Sequence, residues 1–411
     1  MKKLIYILAF VLIVHCTLKI DNCSAQWVQT SLNNHDVYPF TSNGNYIFAG
    51  TDSNGVYMSS NNGVNWVQSS LNNQTVYALV VNGSNIFAGT GGNGIYVSSN
   101  NGQNWTQTSL NNKYVLGLVV IGGNIFATTY FYSGIYRSTN NGQNWTQYAL
   151  YGYNMREIAG SGTNIYANCD SSNHDYGSIY TSTNSGQNWT QTLTNVNPNC
   201  FTISGNYIFL GAGGHIYLST NSGQNWSVLI NIGGTWALAS SGSNIFAGYD
   251  DGTFNVSSNY GQTWTQRNEG MPMGSGIRSL FIYNGYLFAG KDNTGIWRRP
   301  LNEIIGIKQI SEVVPSSYSL DQNYPNPFNP KTKIKFNMPA LNSPLKKGEG
   351  GMIILKVYDI LGKEIETLVN EKLNAGTYEV TFDASKYPSG VYFYRLTTDD
   401  FSETKKMLLT K

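Results

Sequence analysis

A short landmark recurs seven times along this 411-residue chain, and a repeat of fixed period limits the available folds more than any other property of a sequence. It begins as NYIFAG at Asn45 and returns as NIFAG from Asn85, NIFAT from Asn124, NIYAN from Asn164, NYIFLG from Asn206, NIFAG from Asn244 and YLFAG from Tyr286. A second aromatic landmark follows each copy: Val56-Tyr57, Ile95-Tyr96, Ile135-Tyr136, Ile179-Tyr180, Ile216-Tyr217, Phe254 and Ile296-Trp297. The period of about forty residues is the length of a propeller blade. Within one unit, Val76 to Val81, Ile86 to Gly89, Ile95 to Ser98 and Trp105 to Thr108 are β-branched and aromatic runs separated by turns such as Asn82-Gly83 and Asn101-Gly102, so each unit supplies four strands. A lone four-stranded meander cannot bury both faces, whereas seven in a ring stack each sheet on two neighbours. An all-β fold follows, with a seven-bladed β-propeller over 26–300. Its ends predict how the ring closes. Gln26 to Asn33 copies an outer strand, as in Asn65 to Asn72, yet precedes the first inner strand, while the last unit stops after Trp297. The N-terminal strand is expected to complete blade seven.

Between the third and fourth strands lies Ser59-Ser60-Asn61-Asn62-Gly63-Val64-Asn65-Trp66. It recurs with Asn100 and Trp105, Asn140 and Trp145, Asn184 and Trp189, Asn221 and Trp226, and Asn259 and Trp264. Here Asn can fold its side chain onto following amides, Gly supplies a positive φ, and Trp fills the gap between blades, so the motif is assigned a structural role. The motif resembles the Asp-box, or BNR repeat, of sialidase-like propellers, with Asn in place of the family's Asp in every copy. The resemblance covers Gln26 to about Pro300. It implies the fold strongly and the function weakly, and it implies that the boxes lie on the face away from the ligand.

The N-terminus reads as a secretory signal over 1–25: Lys2 and Lys3, an apolar run from Leu4 to Val14, and Cys23-Ser24-Ala25 before Gln26. Cys16 lacks the small preceding residues that lipid modification uses, and no stretch is long enough to span a bilayer. A formal charge of +2 spread over a chain with only 12% charged residues gives no reason to expect nucleic acid or an anionic membrane as partner. Loss of the signal leaves Cys169 and Cys200, placed by the repeat on one face of adjacent blades and so the candidate pair for a disulfide.

After Trp297 the composition changes. Residues 301–317 read as a linker, and 318–411 as a small antiparallel β-sandwich with strands at Thr332 to Asn337, Met352 to Tyr358, Gly376 to Phe382 and Gly390 to Thr397. Asn323-Tyr324-Pro325-Asn326-Pro327-Phe328-Asn329-Pro330, Val357-Tyr358-Asp359-Ile360-Leu361-Gly362, Ser389-Gly390-Val391-Tyr392-Phe393-Tyr394-Arg395-Leu396 and the basic Lys405-Lys406 resemble the type A C-terminal sorting domain of the bacterial type IX secretion system. That resemblance implies recognition by the type IX machinery and delivery to the outside or outer-membrane surface of a Gram-negative cell. Leu341 to Gly351 lengthens one connection and is expected to be a flexible loop.

No catalytic constellation stands out. His35, His174 and His215 lack metal-ligand spacing, so neither metal nor cofactor is expected. The arginines of the propeller, Arg137, Arg156, Arg267, Arg278, Arg298 and Arg299, lack the Arg-Ile-Pro signature of sialidases. Asp52, Asp170, Asp175, Asp250, Asp251, Glu269 and Asp292 lie in loops on one face and could pair for a glycosidase, although loop Asp is usually a turn former. Counting ten residues back from each landmark aromatic gives one equivalent position per blade near the start of the innermost strand: Tyr38, Tyr77, Leu116, Arg156, Asn199, Trp236 and Arg278. These can ring the channel mouth as a binding surface or pack between blades. Tyr130, Phe131 and Tyr132 add aromatic rings in a blade-three loop on the same side, and Asn168 to Gly177 is the longest such loop. The leading reading is a non-catalytic recognition or adhesion module for a glycan or protein, with Tyr38, Tyr77, Tyr130, Tyr132, Arg156, Trp236 and Arg278 as ligand contacts. The alternatives are a glycoside hydrolase or lyase on the same scaffold, and a structural surface-layer component.

Overall fold

A computed structural model of the protein describes residues 26–170, 177–311, 313–340, 351–373 and 375–411. The expected signal at 1–25, His174 and Asp175 of the long blade-four loop, and all but Gly351 of the lengthened connection lie outside the described residues. No helix among those described is long and apolar enough to cross a membrane.

Seven four-stranded antiparallel sheets form the propeller. In blade one the strands are Val37–Asn43, Tyr46–Thr51, Gly55–Ser59 and Val67–Gln68, and hydrogen bonding follows chain order from the inside out. Blades two to six repeat that order. Blade seven takes Ile277–Tyr283, Tyr286–Lys291 and Gly295–Pro300 from the end of the propeller and its fourth strand, Val28–Gln29, from the beginning. Val28 pairs with Arg298 and Gln29 with Trp297, so the ring closes as the terminal sequences require. Trp27 anchors the closure: it is 2% exposed, packs edge-on against Phe254 of blade six, and donates its indole N–H to the Arg267 carbonyl at 2.9 Å.

Burial is organised by seam. The landmark segments Ile47 to Ala49, Ile86 to Ala88 and their equivalents are almost wholly enclosed, because the second strand of a blade is covered on both faces by its neighbours. The turn motif seals six of the seven seams, and Trp27 fills the seventh, between blades six and seven. Ser59 Oγ accepts from the Gly63 amide at 3.0 Å, Asn61 Oδ1 accepts from the Asn65 amide at 3.0 Å, and Trp66 donates to the Gly63 carbonyl at 3.1 Å. The same Ser and Asn acceptor bonds recur in the five other copies, for example at Asn100 and Asn140. Asn therefore performs the turn's acceptor function without Asp's charge. Each Trp packs with the preceding blade, as Trp105 does beside Phe48, Val56 and Leu71.

The glycine of this turn has to be glycine for two reasons. Gly102 has φ 76°, and a Cβ there would lie 2.8 Å from Cε1 of Phe48 in the preceding blade. Gly102→Ala is expected to destabilise the propeller by about 1–3 kcal/mol through backbone strain and overpacking together. Gly83→Ala, at φ 61° with open space around it, isolates the strain. Thermal denaturation of the two variants separates the contributions, and equal losses would dismiss the packing one.

The C-terminal unit is a sandwich of two four-stranded sheets. One contains Ile307–Ser311, Gly376–Asp383, Lys331–Met338 and Ser319–Leu320; the other contains Glu364–Leu373, Gly351–Tyr358, Gly390–Thr397 and Ser402–Leu409. Lys331–Met338 alternates exposed and buried residues, placing Ile334, Phe336 and Met338 in the core with Leu355, Phe382 and Tyr394. The linker expected over 301–317 needs correction. Leu301–Ile304 is a helical turn whose Leu301 and Ile304 pack in the seam beside Trp27, and Ile307–Ser311 pairs with Gly376–Asp383 as an edge strand. Leu301, Ile304 and Ile307, too few to show a period, are buried once each finds a partner.

Candidate functional site

Every inner strand breaks register at the same point. Val76 pairs with Thr90 and Ala78 with Gly89, which leaves Tyr77 as an extra residue; the equivalent shift falls between Val37 and Phe40, Val115 and Gly117, Met155 and Ile158, Pro198 and Cys200, Thr235 and Ala237, and Ile277 and Ser279. A β-bulge adds one residue to one strand and re-aims the side chain it carries. Here it brings Tyr38, Tyr77, Leu116, Arg156, Asn199, Trp236 and Arg278 round one central cavity of about 700 Å³. Tyr130 lines the same cavity; Tyr132 does not, and stands 49% exposed on the rim outside it.

The wall is built from paired groups. Tyr38 and Tyr77 stack with centroids 5.4 Å apart, and burial, followed by the nearby Asp52 and Asp36 charges, pushes the Tyr38 hydroxyl up to about 12. The Arg278 guanidinium lies 3.8 Å above the Trp236 ring, and its Nε donates to Asp292 at 2.6 Å. Trp236 thus serves Arg278 as a platform. Arg156 repeats the device, donating from Nε to Asp170 at 2.9 Å, while Tyr130 Oη donates to the same carboxylate oxygen at 3.3 Å. In both blades the Asp follows its Arg by 14 residues, as the last residue of the paired second strand for Asp170 and the first beyond it for Asp292. The guanidinium charges are therefore compensated within the wall, leaving planar donors held in fixed orientations.

The loop carboxylates that the sequence offers for paired chemistry are largely engaged locally. Asp170 and Asp292 hold these arginines, Asp52 accepts from Thr75 Oγ1 at 2.8 Å, Asp251 caps its own turn through the Thr253 amide at 2.7 Å, and Glu269 holds Arg299 at 2.8 Å. The acid that sequence reasoning missed is Glu157, beside Arg156 in the inner strand of blade four and part of the cavity lining. Its Oε2 is enclosed and has no hydrogen-bond partner, and burial pushes the carboxyl up from 4.5 to about 8 against the pull of the Phe201 amide. A signal was present in the repeat. The residue facing the bulge is Gly50, Gly89, Gly211, Gly248 and Gly290 in five blades but Thr128 and Asn168 in blades three and four. Thr128 donates to the Arg156 carbonyl, and Asn168 Oδ1 accepts from the Glu157 amide at 2.8 Å. The two departures from glycine fix the backbone of this one dipeptide.

Cys169 and Cys200 are both free and buried, which corrects the expected disulfide. Cys169 packs in the seam with Phe126 and Ile158, Cys200 in the seam with Phe209 and Tyr249, so the blades between them turn the two thiols toward different neighbours. Burial raises both thiols, with the Glu157 carboxylate adding to the effect on Cys200.

In the C-terminal unit the aromatic and asparagine motif residues form a closed network. Asn323 is buried, donates from its side chain to the Pro325 carbonyl at 3.0 Å and to Thr332 Oγ1 at 2.9 Å, and donates its amide to Tyr394 Oη at 2.7 Å. Residues 322–410 match the family model described as a secretion system C-terminal sorting domain. The C-terminal unit is a sorting domain. Its Tyr324 and Leu361, 80% and 89% exposed, leave apolar motif side chains outside the core. The sorting domain places the protein outside the cell or on the outer-membrane surface of a Gram-negative bacterium.

Residues 17–118 match a DUF6242 β-propeller domain. Among solved structures, YCF48 from Cyanidioschyzon merolae is 15% identical with a TM-score of 0.56 over 68% of this chain and 99% of that one. A YCF48 bound to D1 peptide is 17% identical, with a TM-score of 0.53 over 68% and 98%. The GH74 xyloglucanase from Xanthomonas campestris is 13% identical, with a TM-score of 0.54 over 76% of this chain and 59% of that one. At these identities the likeness is one of fold. Among curated proteins none matches.

Proposed function

We propose that the exported propeller is a non-catalytic recognition or adhesion module that binds a glycan or protein ligand over its central cavity, while the sorting domain engages the type IX machinery. The observation that carries this reading is the convergence of seven bulged positions, rich in Tyr, Trp and Arg, on one cavity. Flat rings and oriented guanidinium donors suit recognition of sugar faces or peptide side chains. The six Ser and Asn turns act as Asp-box-like rivets away from that site. Glycan and host-matrix arrays probed with the purified propeller test the reading. Tyr77→Ala and Trp236→Ala are each expected to weaken capture about tenfold, since Trp236 also carries Arg278. Array patterns identical to wild type would reject the cavity as the site.

One observation favours the competing hydrolase reading: Glu157 holds a carboxyl protonated near neutral pH in the cavity wall, as a general acid requires. A panel of chromogenic glycosides decides it. Turnover abolished by Glu157→Gln would replace the binding module with an enzyme.

A further inference from the structure

Blade three contains an anomaly that folding alone does not explain. In blades one and seven the loop between the second and third strands turns through Ser53 at φ 59° and Asn293 at φ 56°, and in blade two through Gly92 at φ 105°. Glycine and asparagine tolerate a positive φ, and serine is at least small. In blade three the turn is made by Phe131 at φ 56° and Tyr132 at φ 58°, two consecutive bulky aromatics in a region such residues avoid. The strained pair is clamped by blade four: the Tyr132 amide donates to Asn154 Oδ1 at 2.8 Å, and the Gly152 amide donates to the Tyr132 carbonyl at 3.1 Å.

The clamp does not serve the core. Phe131 and Tyr132 are 61% and 49% exposed, while the blade's interior is filled by Ile125, Phe126, Ala127 and Ile135. Instead the rings form a strip. Phe131 meets Tyr114 edge-on at 5.0 Å and Tyr130 at 5.2 Å, and all three line the central cavity; the Tyr132 backbone is hydrogen-bonded to Gly152, whose flanking Tyr151 and Tyr153 are 58% and 41% exposed, with Tyr153 packed 5.3 Å from Tyr180. Strain accepted in order to expose apolar rings points to a ligand. Its charge is indicated by the surroundings. Arg156 is paired with Asp170, while Lys113 donates to the neutral Ser133 Oγ at 3.2 Å and keeps its charge, so the strip offers ring faces rather than a set of ion-pairing groups with which to select an acidic or basic peptide.

We propose that this strip is a track for an extended, uncharged polysaccharide chain, which leaves the central cavity across blade three and lies on the faces of Phe131, Tyr132, Tyr151 and Tyr153. The proposal rests on the cavity reading above and adds to it the class, length and direction of the ligand.

Affinity electrophoresis of the full chain through gels containing xyloglucan, hydroxyethylcellulose, arabinoxylan, galactomannan or pullulan tests it, followed by titration with di- to hexasaccharides of the polymer that retards it. Wild type is expected to be retarded by at least one polymer and to bind tighter with each added sugar. Phe131→Gly and Tyr132→Gly are expected to lose about tenfold in affinity for the longest chains and to lose the length dependence, while their Tm stays level or rises because glycine relieves the strain. That combination cannot come from damaged folding. Length dependence intact in both variants overturns the track and leaves the cavity reading standing. Loss in these variants with Tyr77→Ala and Trp236→Ala unaffected upholds the track and removes the cavity. Retardation by no polymer, or capture of arrayed peptides instead, overturns the polysaccharide assignment.

Discussion

A chain lacking Gln26 to Asn33 is expected to lose the cooperative unfolding of the propeller, and Trp27→Ala alone to cost about 3–5 kcal/mol. The removed segment does three things at once. It supplies the fourth strand of blade seven, fills the seam between blades six and seven with Trp27, and covers Ile296 through Leu32. Without it blade seven keeps three strands and exposes an edge, so the ring can open at one seam instead of unfolding as a unit. Two contacts make the anchor specific: the Trp27 amide donates to the Glu269 carbonyl at 2.8 Å, and the Thr30 amide to the Ile296 carbonyl at 2.9 Å. Differential scanning calorimetry reads the outcome. For the point variant the loss corresponds to about 6–15 °C in Tm; for the deletion, a single sharp transition at the wild-type temperature would show that the ring does not depend on its closing strand.

Glu157 should make stability fall as pH rises across a window where most proteins are at their best. Its carboxyl is held at about 8 in the folded protein against 4.5 when unfolded, so the folded state keeps a proton that the unfolded chain releases. Below pH 4.5 both states are protonated and the stabilising contribution is complete. Between 4.5 and 8 it is progressively lost, and above 8 the loss is total. The ceiling is about 5 kcal/mol, with about 3 kcal/mol gone by neutral pH. Glu157→Gln keeps the shape and removes the titration. Melting curves across this range are expected to fall for wild type and to run flat for the variant, which becomes the more stable protein near pH 8. Parallel curves would place the carboxyl in water. Lys291 acts in a separate window: burial lowers it from 10.5 to about 8, so its contribution to stability grows as pH rises above 8.

Both predictions come from departures within a regular pattern, and they differ in how visible those departures are in sequence. The closing strand could be read because Gln26 to Asn33 is an outer-strand sequence in an inner-strand position. Arg156, Trp236 and Arg278 could be placed near the channel because an offset counted from a periodic landmark is conserved by the period itself. The bulges that aim these residues could not, since a bulge is a register mismatch between two strands and neither strand records it alone. Glu157 was overlooked for a related reason. It stands one place beyond the counted position, and its significance depends on Thr128 and Asn168, one in the neighbouring blade and one in the paired strand.

The disulfide and the linker failed in the same way. Proximity in the repeat put Cys169 and Cys200 on one face of adjacent blades, but direction within a seam decides bonding, and the two thiols face different seams. The segment 301–317 is too short and mixed for a period, and only the exposed edge of Gly376–Asp383 makes Ile307–Ser311 a strand.

Sequence by itself determined the number of blades, the order of strands, the turn that seals six of the seven seams and the sorting domain, because each is a local pattern repeated or a dense ordered motif. Tertiary structure decided which side chains share the cavity, which charges are already compensated, which acid has one oxygen enclosed without a partner and where strained aromatics reach solvent. Those depend on distances between strands that are remote along the chain, and only closure of the ring brings them together.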